Sequence, residues 1–164
     1  MIKSFEDVLN LAKTRGPKKI SVAVAQDKEV LIAVNEANRM GIADAILVGD
    51  KSEITKIAEE ISMDMNQYEI IDIKEPVEAC RKAVELVSTG KAHIVMKGLV
   101  DTSVILKAVL DEEIGLRTGN ILSHVAVYSV DTYHKLLLVT DAAMNIAPNL
   151  DQKKKIVENA VFLA

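Results

Sequence analysis

Tryptophan is absent and aromatic residues make up only 3% of the 164 residues. The core must therefore be built from Val, Ile, Leu, Ala and Met, which suits parallel strands buried on both faces. A single cysteine, Cys80, excludes an intramolecular disulfide framework and points to a reducing compartment. It sits in the helical pattern Val77, Cys80, Ala83, Val84, Val87 and reads as a buried, inert thiol. No Lys/Arg block is longer than Lys153-Lys154-Lys155, flanked by Asp151 and Glu158, and the net charge is −4. That excludes the basic face a nucleic-acid partner needs, and the triple lysine reads as a solvated helix face. No apolar run reaches the length of a membrane span, and no cationic segment with a following apolar stretch opens the chain. A cytoplasmic protein without nucleic-acid or membrane partners is expected. G-x-G-x-x-G, Walker A and H-E-x-x-H motifs are all missing, which argues against standard dinucleotide, ATPase and zinc-protease chemistry.

What is present is the composition of one α/β domain, 49% hydrophobic and 27% charged, with no repeats, low-complexity segments or linkers. Ser4 caps an expected helix over 4–15 that stops at Gly16-Pro17. Strands are expected over 19–25, 43–48, 68–73 and 92–96. The first is followed by a helix carrying Val30, Leu31, Val34 and Ala37 and ending at Gly41, the second by one carrying Ile54, Ile57, Ala58 and Ile61. Ser52 is the expected cap of the latter, and Pro76 opens a further helix that ends near Ser88. Alternation at this spacing predicts right-handed βαβ units and a doubly wound, mostly parallel sheet. After Gly115 the pattern changes. Segments 121–130 and 134–140 are too close for a crossover helix and are expected to pair antiparallel. A polar loop, 141–150, leads into a last helix from Asp151 with Ile156, Val157, Ala160 and Val161 on one side.

The chemistry concentrates in residues 92–107. His93 to Met96 read as a buried strand that breaks at Lys97-Gly98, and Asp101-Thr102-Ser103 favour a helix N-terminus over 103–111. A strand delivering its C-terminal end into a helix N-terminus presents free N–H groups and the positive end of the helix dipole. Lys97 and Lys107 add cations and Thr102 and Ser103 add hydroxyls, so a phosphate or acyl-phosphate site is expected. Ser103 and Lys107, four residues apart, share one helix face. The neighbours of Lys107 are nearly all apolar, so its charge needs an anion there: a ligand, or a structural carboxylate such as Asp111 or Glu112.

Other candidates are weaker. Arg117 in a Gly-flanked loop can fork onto phosphate or carboxylate, or be a surface arginine. Asp141 and Asn145 can orient a substrate or make Asx turns. His93, His124 and His134 lack ligand spacing and read as satisfied core or edge residues, so no metal is expected. A decarboxylating dehydrogenase on the same scaffold would need Asp111-Glu112-Glu113 as a metal cluster, and that run reads as a polar helix end.

Several motifs in fixed order resemble the phosphate butyryltransferases of the phosphotransacetylase superfamily. They are Met-Ile-Lys-Ser-Phe (1–5), Val-Ala-Val-Ala-Gln-Asp (22–27), Gly-Ile-Ala-Asp-Ala-Ile-Leu-Val-Gly-Asp (41–50) and Ala-Val-Glu-Leu-Val-Ser-Thr-Gly-Lys-Ala (83–92). Met-Lys-Gly-Leu-Val-Asp-Thr-Ser (96–103), Gly-Leu-Arg-Thr-Gly (115–119) and Leu-Ser-His-Val-Ala-Val (122–127) complete the set. The resemblance implies an isocitrate/isopropylmalate dehydrogenase-like three-layer α/β/α fold and a homo-oligomer. It implies reversible transfer of a butyryl or other short acyl group between CoA and inorganic phosphate, both substrates, with no bound cofactor. In that superfamily the CoA thiolate attacks the acyl-phosphate carbonyl while arginines and a helix N-terminus hold the phosphate. Thr102, Ser103 and Lys107 match the phosphate-contacting segment, with Lys107 where relatives commonly carry arginine. Lysine keeps the charge and loses the bidentate fork. Lys97, Gly98 and Arg117 join them as expected phosphate or substrate contacts. Family members are about twice as long by this resemblance, so residues 1–164 are expected to be one α/β domain forming the N-terminal part of a two-domain acyltransferase. The groups that handle the thiol are expected beyond Ala164, and the chain alone is expected to be inactive, a truncated or proteolysed piece. The competing reading is a non-catalytic phosphate or acyl-phosphate binding module.

Overall fold

A computed structural model describes residues 2–164; Met1, the first residue of the opening motif, lies outside the described residues. The chain forms two compact units. One is Ala12–Arg117, and the other combines the residues up to Leu11 with Thr118–Ala164.

The first unit is the doubly wound parallel sheet that the alternating pattern predicts, with helices on both faces as the resemblance implies. Strands β1 (Lys18–Ala23), β2 (Ala43–Gly49), β3 (Glu69–Asp72) and β4 (Ile94–Lys97) form one parallel sheet in the order β3-β2-β1-β4. Successive strands move outward from β1 through β2 to β3, and the chain then returns to the other side of β1 for β4. Helices α2 (Lys28–Arg39) and α3 (Lys51–Glu60) cover one face, where Val22, Ala45 and Leu47 meet Leu31, Val34, Ile54 and Ala58. Helices α4 (Pro76–Ser88) and α5 (Thr102–Val109) belong to the other, where Ala23, Ile46 and Val48 meet Cys80, Ala83, Val84 and Ile105. Adjacent strand residues thus feed opposite layers, as the two-residue period of a strand requires.

Gly41, with φ +71°, follows the last turn of α2 and Pro76 opens α4, as the residue types predict. Asp27, accepting the Val30 N–H, caps the start of α2, and Glu75 caps α4. At α3 the expectation is corrected: Asp50 is the cap, accepting the N–H groups of Ser52 and Glu53, and the Ser52 hydroxyl also donates to it. A carboxylate accepts several donors and complements the helix dipole, which a hydroxyl does less well.

Strand β4 is a second correction. It is the sheet's edge rather than a strand buried on both sides, and Ile94 is 47% exposed. A short apolar run reads alike in either position, so position in the sheet decides. Helix α5 also begins and ends earlier than the expected 103–111.

In the second unit, α1 (Phe5–Thr14) begins at Phe5, with the Ser4 hydroxyl accepting the Asp7 N–H. The expected antiparallel pair is present but short, β5 (Ala126–Tyr128) against β6 (Leu137–Val139). Helix α6 (Leu150–Leu163) is held at its start by a reciprocal capping box between Asn149 and Gln152. Of its expected apolar side, Ile156 is buried, whereas Val157 and Val161 are exposed. The three lysines 153–155 are solvated, Lys154 lying 3.8 Å from Glu158.

One contact sets where the loop after β4 runs. The Gly98 N–H donates to the Ala23 carbonyl at 2.8 Å and the Leu99 N–H to the Val24 carbonyl at 3.0 Å. Val24 is left-handed, with φ 55°. A Cβ on residue 98 would lie 2.1 Å from the Val24 carbonyl oxygen, which is backbone and cannot swing aside. Gly98→Ala is therefore expected to destabilise the protein by about 1–3 kcal/mol in urea unfolding, the usual range for overpacking.

Candidate functional site

The loop from β4 to α5 brings Lys97, Gly98, Thr102 and Ser103 into sequence proximity, but the structure uses them differently. Lys97 folds back, its Nζ donating to the carbonyls of Val100 at 2.7 Å and Gly98 at 3.3 Å. It staples the loop. The Gly98 N–H is committed to Ala23, so it is not a donor for an anion. Thr102 is exposed at the first turn of α5. Asp101 sits at the N-cap position in an extended conformation, yet its side chain makes no capping bond. The first turn of α5 thus lacks the side-chain acceptor that helices α2, α3, α4 and α6 all have.

Ser103 and Lys107 do share a face. Together with Val104, Ala108 and Asp111 they form one wall of a cavity of about 300 Å³, and Val77 and Arg81 of α4 form the other. Lys107 is exposed rather than buried, which corrects the expectation of a lysine on a buried helix face. Neither carboxylate offered as its structural partner takes it. Asp111 pairs with Arg81 at 2.5 Å and Glu112 pairs with Arg117 at 3.4 Å, while Lys107 has no ion pair among the described residues.

Asp111 is heavily engaged. Its Oδ1 accepts the N–H groups of Ile114 and Glu113, and its Oδ2 accepts from Arg81. These bonds, Ile114 first, hold its carboxyl below the usual aspartate range, and Asp111 in turn raises the Arg81 guanidinium. Arg81 is the residue that sequence reading missed. Nothing local marks it, because only the packing of α4 on α5 brings it beside Lys107. Arg117 is an exposed arginine paired with Glu112 and is not among the residues that line the cavity.

The remaining candidates make bonds within the chain. Asp141 Oδ1 accepts the His124 and Met144 N–H groups, each at 3.2 Å, and its other oxygen accepts from the Asn145 amide. Asn145 also donates to the Leu122 carbonyl at 3.0 Å. The pair ties the loop after β6 to the segment before β5, the Asx-turn alternative with a longer-range bond added. His93 is a satisfied edge residue, its Nδ1 accepting the Lys19 N–H at 3.0 Å, and His134 packs on the Tyr133 ring. Burial raises the Cys80 thiol above its ordinary range, as expected of a buried, unreactive cysteine. Among the described residues no three His, Cys, Asp or Glu side chains are grouped to hold a metal ion, the run 111–113 included. No described helix is long and apolar enough to cross a membrane.

Comparison with known proteins supplies what geometry alone does not. The family model described as phosphate acetyl/butaryl transferase matches residues 4–79 and 75–164. The chain is 52% identical to the phosphate butyryltransferase of Clostridium acetobutylicum over all of its 164 residues, covering 54% of that protein. It is 38% identical to the phosphate acetyltransferase of Thermotoga maritima over 160 residues, 98% of this chain and 54% of that one. Among solved structures, it superposes on a branched-chain phosphotransacylase from Enterococcus faecalis with TM-score 0.72 and 32% identity, covering 87% of this chain and 49% of that one. A Streptococcus pyogenes phosphotransacetylase, at 18% identity and TM-score 0.78, shares the fold over 94% of this chain and 56% of its own. The chain spans about half the length of the curated relatives it matches.

The Asp141 bonds, the Asn145 amide first, lower its carboxyl below the ordinary aspartate range, so this group stabilises the fold by remaining ionised. The sign follows: that stability is fully present above the unfolded aspartate range and is lost as pH falls through the lowered folded value. Asp141→Asn is expected to flatten this part of the acid limb in pH-dependent thermal melts. A limb of unchanged steepness would mean that Asp141 contributes nothing to it.

Proposed function

The chain belongs to the phosphate acetyl/butaryl transferase family, and on that premise we propose that it carries the phosphate side of a cleft that exchanges a short acyl group between CoA and inorganic phosphate. Butyryl is the favoured acyl group, because the relatives at 50–52% identity are named phosphate butyryltransferases. The observation that carries the reading is the placement of Ser103 and Lys107 on one cavity wall, on a helix whose first turn has no side-chain cap.

In this reading the CoA thiolate attacks the carbonyl carbon of the acyl phosphate. The C–S bond forms, the C–O bond to phosphate breaks, and phosphate leaves with the bonding pair. In the reverse direction a phosphate oxygen attacks the thioester and the thiolate leaves. The side chains of this chain would hold and orient the phosphate and stabilise the charge that grows on it. Lys107 supplies a point charge, Ser103 a hydroxyl, and the uncapped turn at Thr102 supplies N–H donors at the positive end of the α5 dipole. Lys97 acts by fixing the loop, through its bonds to the Gly98 and Val100 carbonyls. Thiol activation is assigned to residues outside positions 1–164, and metal and cofactor have no part in the proposal. The same reading takes the protein to be cytoplasmic and homo-oligomeric; the free, buried Cys80 supports a reducing compartment.

Separate titrations of phosphate, CoA and butyryl-CoA against the 164-residue protein test this. Phosphate binding without CoA binding or turnover is expected. Family-level release of CoA by this chain alone, or tight CoA binding, would contradict the half-cleft. In a full-length relative, Lys107→Ala is expected to raise the apparent KM for phosphate; an unchanged value would make Lys107 dispensable to the site.

A further inference from the structure

The cavity between α4 and α5 contains a charge that the proposed reading does not use. Arg81 reaches its rim from α4, opposite Ser103 and Lys107, and spends one guanidinium nitrogen on Asp111 Oδ2. A guanidinium has five donors in a rigid fork, and no other side-chain bond of Arg81 is made within the described residues. Its side chain is 38% exposed, so the unused donors are open to a ligand. Lys107 lacks an ion pair among the described residues, and the Ser103 hydroxyl has no partner there. Asp111 is anchored separately, through the Oδ1 bonds from Glu113 and Ile114, so releasing Oδ2 does not free the residue.

We propose that Arg81 is a second phosphate-binding cation of this cavity, occupied by Asp111 in the ligand-free protein and transferred to the ligand by exchange of carboxylate for phosphate. The inference rests on the phosphate-side reading above and deepens it. The remaining wall is apolar, formed by Val77, Val104 and Ala108. A volume of about 300 Å³ is at the small end of ligand pockets, sized for a phosphate with a short aliphatic substituent and too small for CoA. The ligand class is therefore a short-chain acyl or alkyl phosphate. Its dianion lies between Arg81, Lys107 and Ser103, and its chain lies on the two valines. Asp111 sets the affinity, because any anion entering the cavity competes with a carboxylate already in place.

Calorimetric titration of the 164-residue protein with inorganic phosphate and with butyl phosphate tests the assignment, with ligand-free melts confirming that each variant is folded. Arg81→Gln is expected to weaken phosphate binding about tenfold, the scale of one charge-assisted hydrogen bond. Arg81→Lys should fall between the two and serves if Arg81→Gln does not fold. Asp111→Asn keeps the oxygen that accepts from Glu113 and Ile114 and removes the competing charge, so it should tighten phosphate binding several-fold. In the unsubstituted protein butyl phosphate should bind more tightly than phosphate, since its methylenes leave water. Phosphate binding that neither Arg81→Gln nor Asp111→Asn alters, or weaker binding in Asp111→Asn, would overturn the role of Arg81 and leave the phosphate-side reading standing. Absence of phosphate binding to the unsubstituted protein would overturn both.

Discussion

The carbonyls of Ala23 and Val24, at the end of the central strand β1, accept the N–H groups of Gly98 and Leu99. This clasp joins the exit of β1 to the exit of β4, the place where the strand order reverses. Parallel α/β sheets offer ligand crevices at such points. Here Gly98 lies against the Val24 carbonyl with no room for a Cβ. The loop that follows, stapled by Lys97, leads into α5 beside α4, and a cavity opens between those two helices.

Within the Ala12–Arg117 unit, the charges near that cavity divide according to what each can release. Glu112 and Arg117 form an exposed pair of the kind that contributes little to stability. Arg81 and Asp111 form a closer pair in which Asp111 has independent anchorage and Arg81 has unused donors. Lys107, with no ion pair among the described residues, adds positive charge on the opposite wall. The unit therefore offers positive charge next to an apolar surface, and that combination suits a phosphate bearing a short carbon chain.

Much of the fold was legible because its determinants are local. Short apolar runs marked the strands, Pro76 and Gly41 marked helix ends, and the short spacing between 121–130 and 134–140 forced an antiparallel pair. What was not legible depends on tertiary position. His93 to Met96 read as a buried strand, since the residues that place β4 at the edge are those of other strands. Ser52 and Asp50 are both capping types, and only the backbone geometry chooses Asp50. At the site, spacing alone put Ser103 and Lys107 on one face, and resemblance gave that face a ligand class. Gly98 and Lys97 carry residue types that serve anion binding and loop closure equally, and the structure uses them for closure. Arg81 had no sequence signal, because its partner Asp111 is thirty positions away.

The central claim is that a phosphate group binds where α5 begins and along the wall it shares with α4. The most direct test is a backbone amide NMR titration of the 164-residue protein with inorganic phosphate. The account predicts saturable shifts confined to the first turn of α5, at Thr102, Ser103 and Val104, and to Arg81 and Lys107. The Gly98 and Leu99 amides, already bonded to Ala23 and Val24, should move little. Shifts centred on Arg117 or on the Asp141–Asn145 loop, with α5 unmoved, would contradict it.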